Sequence, residues 1–230
     1  TYILSQNLSQ LAGWVDIVKA AHAKSSEYGR TFAMTGNQQL GQRVYGIMLS
    51  DASDIISDEE DPWYDEYEYP RSATLSAKYK LARASGRYEK PVWLRGGLYD
   101  RQRKAPDGHE YRMRLYGNVF QDLVCGEAFA NGAVRVLNLA NEGAPMPEPP
   151  YEHREAFFQR FIDISNFINE HRPVFEDRQN AAQIGLVYSA ATQLYQSFPA
   201  LKISINDHYP RFLGWGRALE EMHLPYQAVI

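Results

Sequence analysis

The chain has 230 residues, of which 44% are apolar and 23% charged, a composition typical of a folded globular protein. Its formal net charge is −4, and its 24 lysines and arginines are spread along the chain, so we expect neither nucleic acid nor an anionic membrane as a partner. No run approaches the roughly 20 apolar residues of a membrane span. No secretory signal pattern is visible, and the cellular compartment stays open.

Four helical patterns, each followed by a short strand-like run, occupy the first 140 residues. A helix ending at Gly29 is followed by "TFAMTGN", and "LGQRVYGIMLSDA" is followed by "DIIS". A helix ending near Gly86 is followed by "KPVWLRGG", and a helix ending at Gly132 is followed by "AVRVLNLA". This alternation predicts an α/β fold in which residues 31 to 140 form four adjacent parallel strands with helical crossovers.

A different organisation begins with "NEGAPMPEPP", residues 141 to 150, whose four prolines predict a linker or a long loop. The next segment, residues 151 to 180, predicts a connecting helix that stops at Pro173 and packs an apolar seam on a neighbour; the seam consists of Phe157, Phe161, Ile164 and Phe167. Residues 181 to 230 predict a strand, a loop or helix, a helix and another strand. Because the chain opens without Met and closes on "LPYQAVI", we expect it to be a piece of a longer polypeptide.

The order of these segments resembles the β-galactosidases of glycoside hydrolase family 42 and related enzymes. The most specific part is "QIGLVYSAATQLYQ" followed by "GWGRALEEMHLPYQAVI", which looks like the family's second domain. The resemblance implies that residues 1–150 are the C-terminal half of a (β/α)8 TIM barrel, strands five to eight. It also implies that 151–180 connect the barrel to residues 181–230, the incomplete start of a flavodoxin-like domain.

This resemblance implies a glycoside hydrolase that acts on a carbohydrate substrate. It also implies, as possible partners, a second copy of the chain and the remainder of its own polypeptide. In the family a glutamate nucleophile ends the seventh strand, whereas the matching segment here, "KPVWLRGGLYD", has no carboxylate before Asp100. The alternative is therefore a non-catalytic glycan-binding or assembly protein on a degenerate barrel.

An acidic stretch at residues 51 to 70 holds nine carboxylates and four large aromatic residues, directly where a barrel strand would end. Barrel active sites gather at the carboxyl ends of strands, and glycoside cleavage needs two carboxyl groups. Glu59 is the first catalytic candidate, because related barrels often end this strand with Ser, a variable residue and Glu. Asp58 and Glu60 are its alternatives.

Two aromatic residues of this stretch, Trp63 and Tyr64, are candidate sugar-stacking surfaces. A carboxylate beside them would lose solvation, which raises its pKa and suits it to donate a proton near neutral pH. Most of the other acidic residues read as solvated loop charges. Calcium binding is a less favoured alternative, because the EF-hand spacing and its glycine are absent.

Five further residues stand at or near predicted strand ends and are candidate substrate-binding residues. Two of them have a structural alternative: turn formation for Asn37 and core packing of the indole for Trp93. The candidates are Asn37, Trp93, Arg95, Asn138 and Glu142. The six histidines lack paired ligand spacing and no glycine-rich phosphate loop follows a strand, so we expect no metal and no cofactor, flavin included. Cys125 reads as a buried, inert thiol.

Overall fold

The protein is described by a computed structural model that covers residues 2–36, 44–60, 72–96, 102–104, 110–112, 118–138, 154–175, 181–196 and 208–230. It mixes helices with short strands. The helices are α1 (Tyr2–Glu27), α2 (Val44–Ala52), α3 (Ser72–Ser85), α4 (Asn118–Ala130), α5 (Arg154–Glu170), α6 (Arg172–Phe175), α7 (Ala190–Gln196) and α8 (His208–Glu221). The strands are β1 (Ile56–Glu60), β2 (Val92–Gly96), β3 (Gln102–Lys104), β4 (Glu110–Arg112), β5 (Arg135–Asn138), β6 (Ile184–Val187) and β7 (Tyr226–Val229).

The larger sheet contains three parallel strands in the order β1-β2-β5. Helix α3 connects β1 to β2 and helix α4 precedes β5, so the helix-then-strand alternation predicted for these segments is confirmed. The prediction of a strand at "TFAMTGN" is wrong for residues 31–36, which are not a strand. This segment nevertheless lies beside the start of β1, because the amide of Asp54 donates to the Met34 carbonyl at 2.9 Å.

An antiparallel pair, β3 and β4, lies between β2 and α4 in the chain and is paired from Gln102↔Arg112 to Lys104↔Glu110. The sequence analysis did not predict it, because three-residue strands rich in charge carry almost no hydrophobic pattern. It adds a separate two-stranded sheet and leaves the parallel order β1-β2-β5 intact.

Two faces of helix α3 are buried, each in a different hydrophobic core. Tyr79 and Ala82 belong to a core with Ile56 and Val92 of the larger sheet and with α4 residues, including Cys125, whose pKa burial raises to about 12. A second face of α3, at spacings of four and three residues, carries Ala77, Leu81 and Ala84 into another core. One helix therefore covers two sheets.

The second core belongs to a parallel pair of strands, β6 and β7, connected through α7 and α8. Tyr188, Phe212, Tyr226 and Ala228 are its buried members outside α3. The Tyr88 hydroxyl, in the turn after α3, donates to the Ala228 carbonyl, which ties β7 to the end of that helix. The strand, helix and strand predicted within residues 181–230 are confirmed; the half barrel, the flavodoxin-like domain and the domain boundaries stay predictions.

Three helix ends show how the chain turns towards the next element. Gly29 and Gly132 have positive φ values of 62° and 92°, and each closes a helix with the paired backbone hydrogen bonds of a Schellman motif. At the end of α3 this position is taken by Arg87, with φ 54°, instead of Gly86. Gly86 serves close packing, since a Cβ there would lie 2.8 Å from Cγ1 of Ile56.

A helix, α5, is present in the segment predicted to connect the two domains, and its connecting role stays a prediction. Its apolar seam differs from the predicted one, and the side chain of Phe157 lies outside the described residues. Phe161, Ile164 and Ile168 pack against the first core. Phe167 is 53% exposed and stacks on His171, so its assignment to the seam is wrong. The seam follows the spacing of 161, 164 and 168. Helix α5 ends at Glu170, before the short helix α6, in which Pro173 is the second residue.

Candidate functional site

The carboxyl ends of β1, β2 and β5 meet at one edge of the larger sheet, because all three strands run in the same direction. The register fixes which residues are neighbours there. Glu60, Gly96 and Asn138 form one row across the three strands. Glu59, Arg95 and Leu137 form the row before it. Four sequence-predicted site residues from three separate segments thus become neighbours in two adjacent rows.

For Glu59, Glu60, Arg95 and Asn138 the structure describes the backbone only. Residues 61–71, 97–101 and 139–153, which follow the three strands, lie outside the described residues. The predictions for Asn37, Trp63, Tyr64 and Glu142 also fall outside them. All eight residues therefore remain candidates from the sequence. For Glu59, Glu60, Arg95 and Asn138 the strand register adds support.

The third catalytic candidate, Asp58, is 2% exposed. It stands two residues after Ile56, and alternation along a strand places both on the side that faces the first core. In the register it is paired with Leu94. Such a position restricts access from solvent, and Ser57, on the opposite face of the strand, is equally buried at 3% exposure.

Trp93 is half-buried and belongs to neither core. The guanidinium carbon of Arg135, an exposed residue on β5, lies 5.3 Å from the centre of the Trp93 ring, within cation–π range. The two residues are register partners, so the contact follows from the strand pairing. The sequence analysis missed Arg135, because its pairing with Trp93 depends on the strand register, which the sequence does not reveal.

The other polar group at a strand end lies beyond β6. The Ser189 amide donates to Nε2 of His208 at 2.9 Å, and Oγ of Ser189 accepts from the Thr192 amide at 3.0 Å at the start of α7. Burial, followed by the positive charge of Arg211, lowers the pKa of His208, which favours the neutral ring that this acceptor role needs. These contacts join β6, α7 and α8. Ser189 and His208 therefore have a structural role at the end of β6.

A cluster of charged residues between the two cores was also missed. Lys80 on α3, Glu127 on α4 and Glu220 on α8 surround Tyr226 of β7, and burial raises the pKa of Glu127 to about 7. The signal in the sequence was Lys80 itself, which interrupts the apolar positions 77, 81 and 84 on one face of α3. Glu127 and Glu220 carry no comparable signal, because only the tertiary fold brings their helices together.

Within the described ranges, no group of three histidine, cysteine or acidic residues is arranged to hold a metal ion. In the same ranges, no helix combines the length and apolarity needed to cross a bilayer. No protein-family model matches this chain, and no curated protein does so either.

Proposed function

We propose that the chain binds carbohydrate at the carboxyl-end edge of β1-β2-β5 and that the complete site hydrolyses glycosidic bonds. The observation that carries this is the register, in which Glu59 is the partner of Arg95, and Glu60, Gly96 and Asn138 form the next row. In folds with parallel strands and helical crossovers, ligands bind at this edge.

The proposed chemistry assigns a proton transfer to Glu59. Glycoside cleavage needs one carboxyl group that protonates the leaving oxygen and a second one that acts as base or nucleophile, roughly 5 to 9.5 Å away. Glu60 and Glu142 are the candidates for the second group. Arg95 and Asn138 supply donors and acceptors suited to sugar hydroxyls or to a substrate carboxylate.

A second candidate, a glycan-binding protein without catalysis, is favoured by the composition of β2. This strand reads Val-Trp-Leu-Arg-Gly and contains no carboxylate, although the resemblance places the nucleophile at its end. Trp93 and Arg135 on the same sheet are an aromatic surface with a cation beside it, which suits binding as well as catalysis.

The test is to measure both hydrolysis and binding with Glu59→Gln, using Glu89→Gln as the matched control because Glu89 is exposed in the turn after α3. The 230-residue chain is assayed on a panel of aryl glycosides and oligosaccharides. Loss of a general acid typically costs on the order of 100-fold to 10,000-fold in rate. We expect Glu59→Gln to lose turnover to that extent with an unchanged melting midpoint, while Glu89→Gln behaves as wild type.

Absence of hydrolysis combined with sugar binding that Trp93→Ala or Arg95→Met weakens would select the binding-protein candidate. Wild type that neither binds nor cleaves any sugar of the panel would contradict both candidates. Full activity in Glu59→Gln would remove that residue from the mechanism.

A further inference from the structure

A group of charged side chains lies where α3, α4, α8 and β7 meet. Nζ of Lys80 is 2.9 Å from Oγ of Ser76, 3.5 Å from Oε1 of Glu220 and 3.9 Å from the centre of the Tyr226 ring. The Tyr226 hydroxyl donates to the same Glu220 oxygen at 2.8 Å. Lys80 and Glu220 are mostly buried, with side-chain exposures of 19% and 30%. This group joins the second sheet to α3.

Glu127 on α4 interacts electrostatically with the same group, but its hydrogen bonding differs from that of the other members. Its Oε2 atom is buried, and among the described residues it has no hydrogen-bond partner. Burial raises the pKa of Glu127 to about 7; the charge of Glu220 acts in the same direction, and Lys80 acts against both. Glu127 thus lies near two opposite charges, and its Oε2 atom has no hydrogen bond among the described residues that would stabilise the ionised form.

The charges around Glu127 balance only when it is protonated. Lys80 and Glu220 then form one positive and one negative charge. Ionisation of Glu127 adds a second negative charge. Lys80, whose Nζ atom already lies 3.5 Å from Oε1 of Glu220, cannot neutralise both carboxylates. Tyr226 does not help, because burial, together with the nearby Glu220 and Glu127, raises its pKa and keeps it neutral.

The other cations that face this region are already engaged. Arg83, one helical turn after Lys80 on α3, packs over Gly132, where a Cβ would lie 1.9 Å from its Nη1 atom. Helix α5 packs on α4 and contributes Arg160, whose Nη2 atom lies 2.6 Å from Oδ2 of Asp122. Among the described residues, Lys80 is therefore the cation whose charge acts on Glu127.

We propose that Lys80 is a counter-ion shared by Glu220 and Glu127, and that ionisation of Glu127 loosens the attachment of β7 and α8 to α3. The lysine ammonium sits on a flexible stem with three donors, so it is able to turn from Glu220 towards Glu127. That movement withdraws it from the Tyr226 ring and from the carboxylate that Tyr226 binds. The second sheet then loses the polar contacts that hold it at this point.

The direction of the pH effect follows from the pKa of Glu127, which is higher in the folded chain than its ordinary value of 4.5. A group of this kind favours the folded state fully below its unfolded pKa, and the contribution is lost as the pH rises through the folded pKa. The attachment is therefore firm at pH 5 and weakens as the pH rises through about 7.

The test compares thermal midpoints of wild type and Glu127→Gln between pH 5 and 8.5, with Glu89→Gln as an exposed control. The glutamine cannot ionise. The thermal midpoint of Glu127→Gln should therefore rise relative to that of wild type by on the order of 3 °C as the pH increases from 5 to 8.5. Glu89→Gln should run parallel to wild type. Parallel curves for Glu127→Gln as well would overturn the proposal.

A second measurement keeps the test decisive if the glutamine variant folds poorly. Amide hydrogen exchange of wild type at pH 6 and pH 8, corrected for intrinsic rates, should show a loss of protection in β7 and α8 that is larger than in β2. Lys80→Met, which keeps an apolar stem, should lose more stability at pH 8 than at pH 5. Equal changes in β7 and β2 would contradict the role of the cluster.

Discussion

The two parallel sheets are built alike on their covered faces and differently on their free faces. Both pack buried strand residues against α3, Ile56 and Val92 in the larger sheet and Tyr226 and Ala228 in the smaller one. The larger sheet carries the Trp93–Arg135 pair outside its core, whereas the smaller one exposes Val187 by 61% and Val229 by 39%.

The difference shows that parallel pairing and a covering helix establish the core but do not specify what a sheet does. Function has to come from the uncovered positions and the strand ends, where side chains are not required for packing. In the larger sheet these positions hold charged, amide and aromatic residues. In the smaller sheet they are mainly apolar, and its polar groups at the end of β6 bind one another.

The largest expected effects come from the two cores that α3 joins. Ile56→Ala removes buried volume from the first core and Leu81→Ala from the second, and each should cost about 2 to 5 kcal/mol of unfolding free energy. Because α3 belongs to both cores, we expect a single cooperative transition in urea for wild type and for both variants. Circular dichroism and tryptophan fluorescence report it independently.

Two separate transitions, with each variant shifting only one of them, would break this part of the comparison. The sheets would then be independent units that merely share a helix surface. Ala20→Gly, at an exposed site on α1, is a control for a change that reaches neither core.

An intermediate effect is expected where α8 crosses α3. A Cβ at Gly216 would lie 2.7 Å from Cβ of Ala77 and 2.6 Å from the Tyr226 hydroxyl, so Gly216→Ala should cost about 1 to 3 kcal/mol. Gly214 lies in the same helix with nothing within 4 Å, and Gly214→Ala should gain about 0.5 to 1 kcal/mol from helix propensity. Urea unfolding measures both; equal gains in the two variants would show that α8 does not approach α3 this closely.

How much of the fold is predictable depends on where the determining contacts are. The strands around Ile56, Val92 and Val136 followed helices in a regular alternation, and that local pattern was sufficient to predict their parallel order. The pair β3–β4 was missed because it has no apolar alternation. The failure at residues 31–36 has another cause. The Met34 carbonyl accepts from the amides of Asp54 and Ile55, and the Met34 amide donates to the Asp54 carboxylate, so the segment is held at one point beside β1 without forming a strand.

The smallest expected effect concerns the attachment of α1 to the start of β1, which has the opposite pH dependence from the Glu127 cluster. Oδ2 of Asp54 accepts from the Met34 amide at 2.8 Å and lies 2.8 Å from Nε2 of His22. Burial alone would raise the pKa of Asp54, but these contacts outweigh it, and that pKa lies below its usual value of 3.8. This stability is present above pH 3.8 and is lost as the pH falls through the folded pKa.

Asp54→Asn should therefore flatten the fall of the melting midpoint below pH 4, by at most about 2 °C because the pair is partly exposed. Asp16→Asn, at an exposed site on α1, is the matched control and should leave the acid limb as in wild type. A flattening of the same size in both variants would assign the effect to net charge.

The candidate site was predictable in part, for a physical reason. Polar residues directly after short apolar runs indicated the strand ends, so Glu59, Arg95 and Asn138 were identified one segment at a time. Their register was not predictable, because it depends on how far each strand extends against its neighbour. The burial of Asp58 was also beyond the sequence, since Ser57 and Asp58 are both buried and the tertiary packing on the two faces of β1 decides this.

The most direct test of the central claim is amide hydrogen exchange of the chain with and without a saturating oligosaccharide from the panel. The account predicts added protection at residues 58–60, 94–96 and 136–138, with none at the end of β6, residues 186–189. Protection confined to the end of β6, or no change at the three strand ends while the sugar is bound, would contradict it.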